Sequence, residues 1–282
     1  MLMLDGIAID AAGQTDIGKV RKVNQDQFLI AALHKVIEIH GTSLPERYQT
    51  RIHSGARAVV LLVADGVGGA PAGERASSIT LDAIMNYVTH SMRCFYALDE
   101  QAAPDLLREL AGSVRRSHEA VLAHAAESPD DAGLATTLTM AHILWPRAYV
   151  VHIGDSRCYR LRGDELALVT RDQTLSQALV ESGEISEEQA QRSPFAHVLM
   201  QAIGGPQDIE PAISQIDLAP GDTLLLCTDG LTKHVARPDM APLLSGAAGA
   251  ADAARALIDA ALAGGGSDNV TAVVARFTRP AA

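Results

Sequence analysis

The sequence predicts an α+β fold of antiparallel sheets with helices packed outside them. Strand-like segments come in runs instead of alternating one by one with helices, which argues against a parallel doubly wound sheet. Apolar runs at 59–64 and 223–228 read as long buried strands. The chain is 48% apolar, 20% charged and only 4% aromatic, so Ala, Val, Leu and Ile must fill an ordinary globular core. The 282 residues hold no long Pro/Gly/Ser linker and no internal repeat, which suggests one domain over 1–282.

In chain order, strands are expected at 7–11, 27–32 and 58–64. Helices follow at about 72–97 and 104–127. Their apolar residues recur three and four apart: Leu81, Ile84, Met85 and Val88 in the first, Leu107, Leu110, Val114, Val121 and Leu122 in the second. A second strand block covers 135–144, 148–154, 158–162 and 166–170. Short helices are expected at 173–182 and 186–192, the second with Ser186 as N-cap and acids in its first turn. Strands at 213–218 and 223–228 precede an Ala-rich helix at 247–263 that ends at Gly264–Gly266, and 270–277 is the last strand. Residues 34–57 fit neither period, contain Gly41, Pro45, Gly55 and three histidines, and read as a long, partly exposed insertion.

The net charge of −11 argues against a nucleic-acid surface, which needs a clustered basic face. No run of 18 apolar residues crosses a membrane, and the N-terminus lacks the basic region of a signal peptide. Cys94, Cys158 and Cys227 form no CxxC pair; reduced thiols suit the cytoplasm.

The acids carry the chemistry. Asp65, Asp155 and Asp229 each follow an apolar strand; Asp26 and Asp268 each precede one. In an antiparallel sheet the end of one strand lies beside the start of its neighbour, so five carboxylates can share one edge. Two like charges 4 Å apart repel by roughly 4 kcal/mol at an effective dielectric near 20, so such a cluster needs protons or cations. Oxygen donors favour Mg²⁺, Mn²⁺ or Ca²⁺ over Zn²⁺. An Asp-Gly step, as at Asp65–Gly66 and Asp229–Gly230, is also a common turn signal, so each acid can be read as a turn residue; coincidence at several strand ends is harder to maintain on that reading. Paired cations would activate a water and neutralise a phosphate. Arg21, with a planar fork for two oxygens, is the candidate phosphate holder.

Six motifs stand in order. Residues 15–26 read TDIGKVRKVNQD, 63–77 VADGVGGAPAGERAS, 133–138 GLATTL, 151–157 VHIGDSR, 226–235 LCTDGLTKHV and 266–272 GSDNVTA. Together they resemble the bacterial form of the type 2C (PPM) metal-dependent protein serine/threonine phosphatases. The resemblance implies an αββα sandwich of two antiparallel sheets flanked by helix pairs. It implies two Mn²⁺ or Mg²⁺ ions at the core and a third, weaker one. Asp65 would bridge two metals, with the Gly66 carbonyl on one of them; Asp229 and Asp268 would hold the other; Asp26 would act through waters; Asp155 with Asp229 would hold the third. Arg21 would grip the phosphate, and 170–201 would be a flap that selects substrate. Partners would be phosphorylated proteins, among them a bacterial serine/threonine kinase or its substrates, met by a monomer.

There are departures from the family pattern. Val67 stands where animal members carry a histidine, and the flap opens RDQTL without the histidine many members have after the Asp. Lys233 and His234 follow the Asp229 loop and read as surface residues, with a place near the cleft as the alternative. The rival function is a catalytically silent pseudophosphatase that binds phosphoproteins; loss of a metal Asp would mark it, and all five are present. Cys-x5-Arg, DxDxT and GxxxxGK[ST] motifs are absent, and the acids are too dispersed for an EF-hand.

Overall fold

A computed structural model describes residues 1–38, 51–67, 72–90, 103–127, 133–191 and 193–280. Cys94, His40 and residues 68–71 of the second motif lie outside them. Twelve strands lie among the described residues: β1 Leu2–Leu4, β2 Ile7–Asp16, β3 Asp26–Glu38, β4 Arg51–Val67, β5 Ala135–Thr136, β6 Leu138–Leu144, β7 Arg147–Ile153, β8 Arg157–Arg162, β9 Glu165–Leu168, β10 Ala212–Asp217, β11 Thr223–Cys227 and β12 Val270–Thr278. The helices are α1 Ala72–His90, α2 Ala103–Glu127, α3 Leu175–Glu181, α4 Glu187–Gln191, α5 Asp229–Thr232, α6 Arg237–Ser245 and α7 Ala250–Ala263.

The strands join in one path, β10-β7-β6-β4-β1-β2-β12-β11-β8-β9, with β3 and β5 paired to β4. The pairings are antiparallel except for a single parallel bridge, Leu4 to Ala56, between β1 and β4. The expected two sheets are therefore two halves of one curled sheet, hinged at β1. Side chains along β4 show how the halves stack. Val60, Leu62 and Ala64 face a cluster with Ile84, Leu110 and Val114 of α1 and α2. Val59, Leu61 and Val63 alternate to the other side and pack between the halves against Ile9, Leu224, Leu226 and Val273. A third cluster seats Leu257, Ile258 and Ala261 of α7 on Leu225, Val270, Ala272 and Val274. Helix, sheet, sheet, helix is the layer order that the resemblance implies.

Most expected elements appear within a few residues of their places. The Ser186 cap is reciprocal: its Oγ accepts from the Gln189 N–H (3.2 Å) and its N–H donates to Gln189 Oε1 (2.8 Å). In α2 Leu106 is buried with Leu110, Val114 and Val121, Leu107 packs partly buried against them, and Leu122 faces outward. Residues 34–57 are corrected at both ends. β3 continues to Glu38 and β4 begins at Arg51, paired Glu38 to Arg51. Register shifts around His34 break the alternation that would have revealed the strand. Missed outright were β1, α5 and α6. β1 and β2 are joined by Asp5 and Gly6, both at positive φ (44° and 78°), a two-residue hairpin turn.

Candidate active site

All five predicted acids meet at one end of the curled sheet. Asp26 starts β3 directly opposite Asp65, near the end of β4. Asp155 follows β7, Asp229 opens α5 after β11, and Asp268 precedes β12. Their mutual effect shows in the carboxyl of Asp65, held well above the usual range by burial and then by repulsion from Asp26, Asp229, Asp155 and Asp268. Asp26 and Asp155 are each pushed up to about 7, burial being the largest cause and Asp229 a further one for both.

Hydroxyls and amides fix these acids. Asp26 Oδ2 accepts from Thr228 Oγ1 (2.8 Å) and Thr271 Oγ1 (2.7 Å), and Oδ1 is buried with no hydrogen-bond partner among the described residues. The Asp65 backbone is clamped by the Thr-Thr motif: its N–H donates to Thr137 Oγ1 (3.1 Å), and its carbonyl accepts from the Thr137 N–H and Thr136 Oγ1 (both 2.9 Å). Thr137 Oγ1 also lies 2.7 Å from Ser156 Oγ, which ties this clamp to the loop of Asp155. The sequence displayed Thr136, Thr137, Thr228 and Thr271 without revealing these roles, because each acts across the chain. Asn269 is a further positioning residue. Its Nδ2 donates to the carbonyls of Ile17 (2.9 Å) and Val23 (3.0 Å), and its Oδ1 accepts from the Gln25 N–H (2.9 Å). It thereby shapes the loop that carries Arg21.

The two glycines that follow acids serve close approach. Gly66 lies within β4, and a Cβ there would run into the Gly73 carbonyl at the start of α1. Gly230 lies within α5, and a Cβ there would run into the Asn269 carbonyl.

Arg21 forks onto Asp268, Nε to Oδ1 at 2.6 Å and Nη2 to Oδ2 at 3.0 Å. The expected phosphate holder is thus an ion-pair partner here, with its side chain 49% exposed. Lys233 takes the near-cleft alternative to a surface position: its Nζ is 2.6 Å from Asp229 Oδ2 and 2.7 Å from Asp268 Oδ2, because one turn of α5 folds it back over Asp229. Beside Lys233 and Arg21, the Asp268 carboxyl lies below its ordinary value despite its burial. His234 does lie off the acids, its Nε2 2.9 Å from Ser267 Oγ. His197 was not singled out from sequence, since it lies in an aperiodic stretch. Its ring, with Asp155 and Asp229, offers three ligand atoms within 4.8 Å of one another.

This donor set fits hard divalent cations: the acids supply oxygens only, Asp26 holds a buried oxygen without a partner, and two protein cations already lie against the carboxylates.

A family model described as protein phosphatase 2C matches residues 42–264. The serine/threonine protein phosphatase PstP of Mycobacterium tuberculosis is 38% identical over 224 residues, 79% of this chain; the chain spans 41% of that relative's length. The serine/threonine phosphatase stp of Listeria innocua is 29% identical over 215 residues, covering 76% of this chain and 83% of the relative. A crystal structure of the catalytic domain of PstP in complex with 2 manganese ions superposes with a TM-score of 0.74 at 33% identity, over 96% of this chain and 99% of that one. With its six motifs in order around one acid cluster and a family match across most of its length, the chain belongs to the protein phosphatase 2C family.

Proposed function

We propose that the chain hydrolyses phosphoserine and phosphothreonine in proteins, with Mn²⁺ or Mg²⁺ as cofactor. The observation that carries this is the convergence of Asp26, Asp65, Asp155, Asp229 and Asp268, whose mutual repulsion calls for cations. Asp65, the Gly66 carbonyl, Asp229 and Asp268 would hold two ions, with Asp26 acting through waters. Asp155 and Asp229 would hold a third, with His197 within reach. When bound, the cations lower the pKa of a water and neutralise phosphate charge.

The chain's own groups do the rest. The Thr136–Thr137 clamp fixes the Asp65 backbone, and Thr228 with Thr271 fixes Asp26, so the acids need little reorganisation. Arg21, half-exposed at the rim, would turn its fork from Asp268 to two phosphate oxygens. The pseudophosphatase alternative is disfavoured, since no acid is lost and the relatives are named as phosphatases. A single cytoplasmic monomer acting on substrates of a serine/threonine kinase remains part of the proposal.

The test is hydrolysis of a phosphothreonine peptide after EDTA treatment, with and without Mn²⁺. Turnover is expected only with the metal, and Asp229→Ala should remove it. Absence of turnover with any divalent ion would overturn the enzymatic reading.

A further inference from the structure

Among the described residues, Lys233 is the cation that bridges Asp229 and Asp268, and nothing in the helix that carries it requires a lysine there. α5 is one turn long, and the Lys233 N–H closes it onto the Asp229 carbonyl at 2.8 Å. A lysine at a helix C-terminus ordinarily favours the terminal carbonyls. This one turns back toward the N-terminal end. Its Nζ lies 2.6 Å from Asp229 Oδ2 and 2.7 Å from Asp268 Oδ2, with the side chain only 21% exposed. An ammonium with two carboxylate oxygens at hydrogen-bond distance is a partly buried, charge-assisted contact, unlike a loose surface pair.

We infer that Lys233 is an internal counter-ion that holds Asp229 and Asp268 together, and that a divalent cation binds this pair in exchange for it. The inference rests on the metal-dependent reading above. An oxygen lone pair directed at Nζ cannot at the same time be directed at a metal, and an ammonium cannot sit within bonding distance of a divalent ion without strong repulsion. Occupation of the pair therefore breaks both contacts and turns the Lys233 head toward solvent. Arg21 holds both oxygens of Asp268, so it too must release the oxygen that a divalent ion takes, and its fork is then free for phosphate. The lysine keeps the acids in place for the incoming ion and weakens its binding by the contacts that must be broken. Metal affinity is thereby set by a residue that is not a ligand.

Two measurements that do not depend on turnover test this. The first is Mn²⁺ binding, followed by the paramagnetic resonance of free Mn²⁺, in the wild type and in Lys233→Met, which keeps the aliphatic stem and removes the ammonium. The variant should bind its tightest Mn²⁺ at least about tenfold more strongly. An unchanged or weaker affinity overturns the inference. The second uses the unaltered protein, in case the variant does not fold: reductive methylation read by mass spectrometry, with and without saturating Mn²⁺. Labelling of Lys233 should rise several-fold with the metal, while exposed Lys19 and Lys22 stay constant. Labelling of Lys233 that ignores Mn²⁺ overturns the exchange. Failure of both proteins to bind any Mn²⁺ would instead remove the metal-dependent reading itself.

Discussion

Replacing Asp26 by Asn should stabilise the metal-stripped protein while impairing its response to metal. Asp26 is buried, with Oδ2 held by Thr228 and Thr271 and Oδ1 without a partner. An Asn carbonyl can accept from both threonines, and its amide would fall at the orphaned position. Burial and neighbouring acids raise the carboxyl from its ordinary 3.8 to about 7. Ionising it in the folded protein at pH 8 therefore costs on the order of 4 kcal/mol relative to the unfolded chain. The sign follows from the raised value. The folded state binds the extra proton between 3.8 and about 7, so the penalty is complete above pH 7 and fades as pH falls toward 3.8.

In EDTA at pH 8, Asp26→Asn should raise Tm by several degrees, at roughly 2 °C per kcal/mol for a chain of this size. At pH 5 the gain should drop to less than half. With Mn²⁺ the order should reverse, because the wild type gains binding energy that the variant does not. Thermal unfolding by circular dichroism reads all three. A variant less stable than wild type in EDTA at pH 8, or a gain that ignores pH, would refute the electrostatic account.

Three further substitutions probe other parts. Arg21→Ala should raise KM for a phosphothreonine peptide roughly tenfold with less effect on kcat, as loss of a charge-assisted contact made in ground and transition states alike; an unchanged KM would remove Arg21 as the phosphate holder. Gly66→Ala drives a Cβ into the Gly73 carbonyl, so it should cost about 1–3 kcal/mol and weaken Mn²⁺ binding, read by denaturant unfolding and metal titration. His142 and His152 are buried and pushed down to about 4 by desolvation. The unfolded chain takes up their protons below 6.5 and the folded one does not, so each contributes on the order of 3 kcal/mol that is lost as pH falls from 6.5 to 4. His152→Asn should flatten the stability–pH slope in that window, and a slope equal to wild type would show that His152 is not buried neutral.

How much of this was legible in the sequence depended on whether a signal was local. The buried strands and the long helices declared themselves through period and length, and the five acids through their places at strand ends. The hydroxyl clamps did not, since Thr137 meets Asp65 across 72 residues and Thr228 meets Asp26 across 202. The sequence leaves Lys233 between surface and cleft because its neighbours along α5 say nothing of Asp268, 35 residues onward.

The three Asp-Gly steps of the chain show the same limit most sharply. Asp5–Gly6 is a hairpin turn with both residues at positive φ, and it joins two strands of which the first, three residues long, had not been foreseen. Asp65–Gly66 and Asp229–Gly230 are the same dipeptide, yet one lies inside a strand and the other inside a helix, and neither glycine is at positive φ. There the missing Cβ matters, because a carbonyl from a distant segment occupies its place: Gly73 against Gly66, Asn269 against Gly230. Each glycine thus admits the backbone that brings its preceding acid into the cluster. What separates turn from site is the strand before the step. Met1 to Leu4 is too short to be buried on both faces, whereas 59–64 and 223–227 are wholly buried and deliver their acids to one end of the sheet. A dipeptide signal therefore has to be read with the length of the apolar run before it.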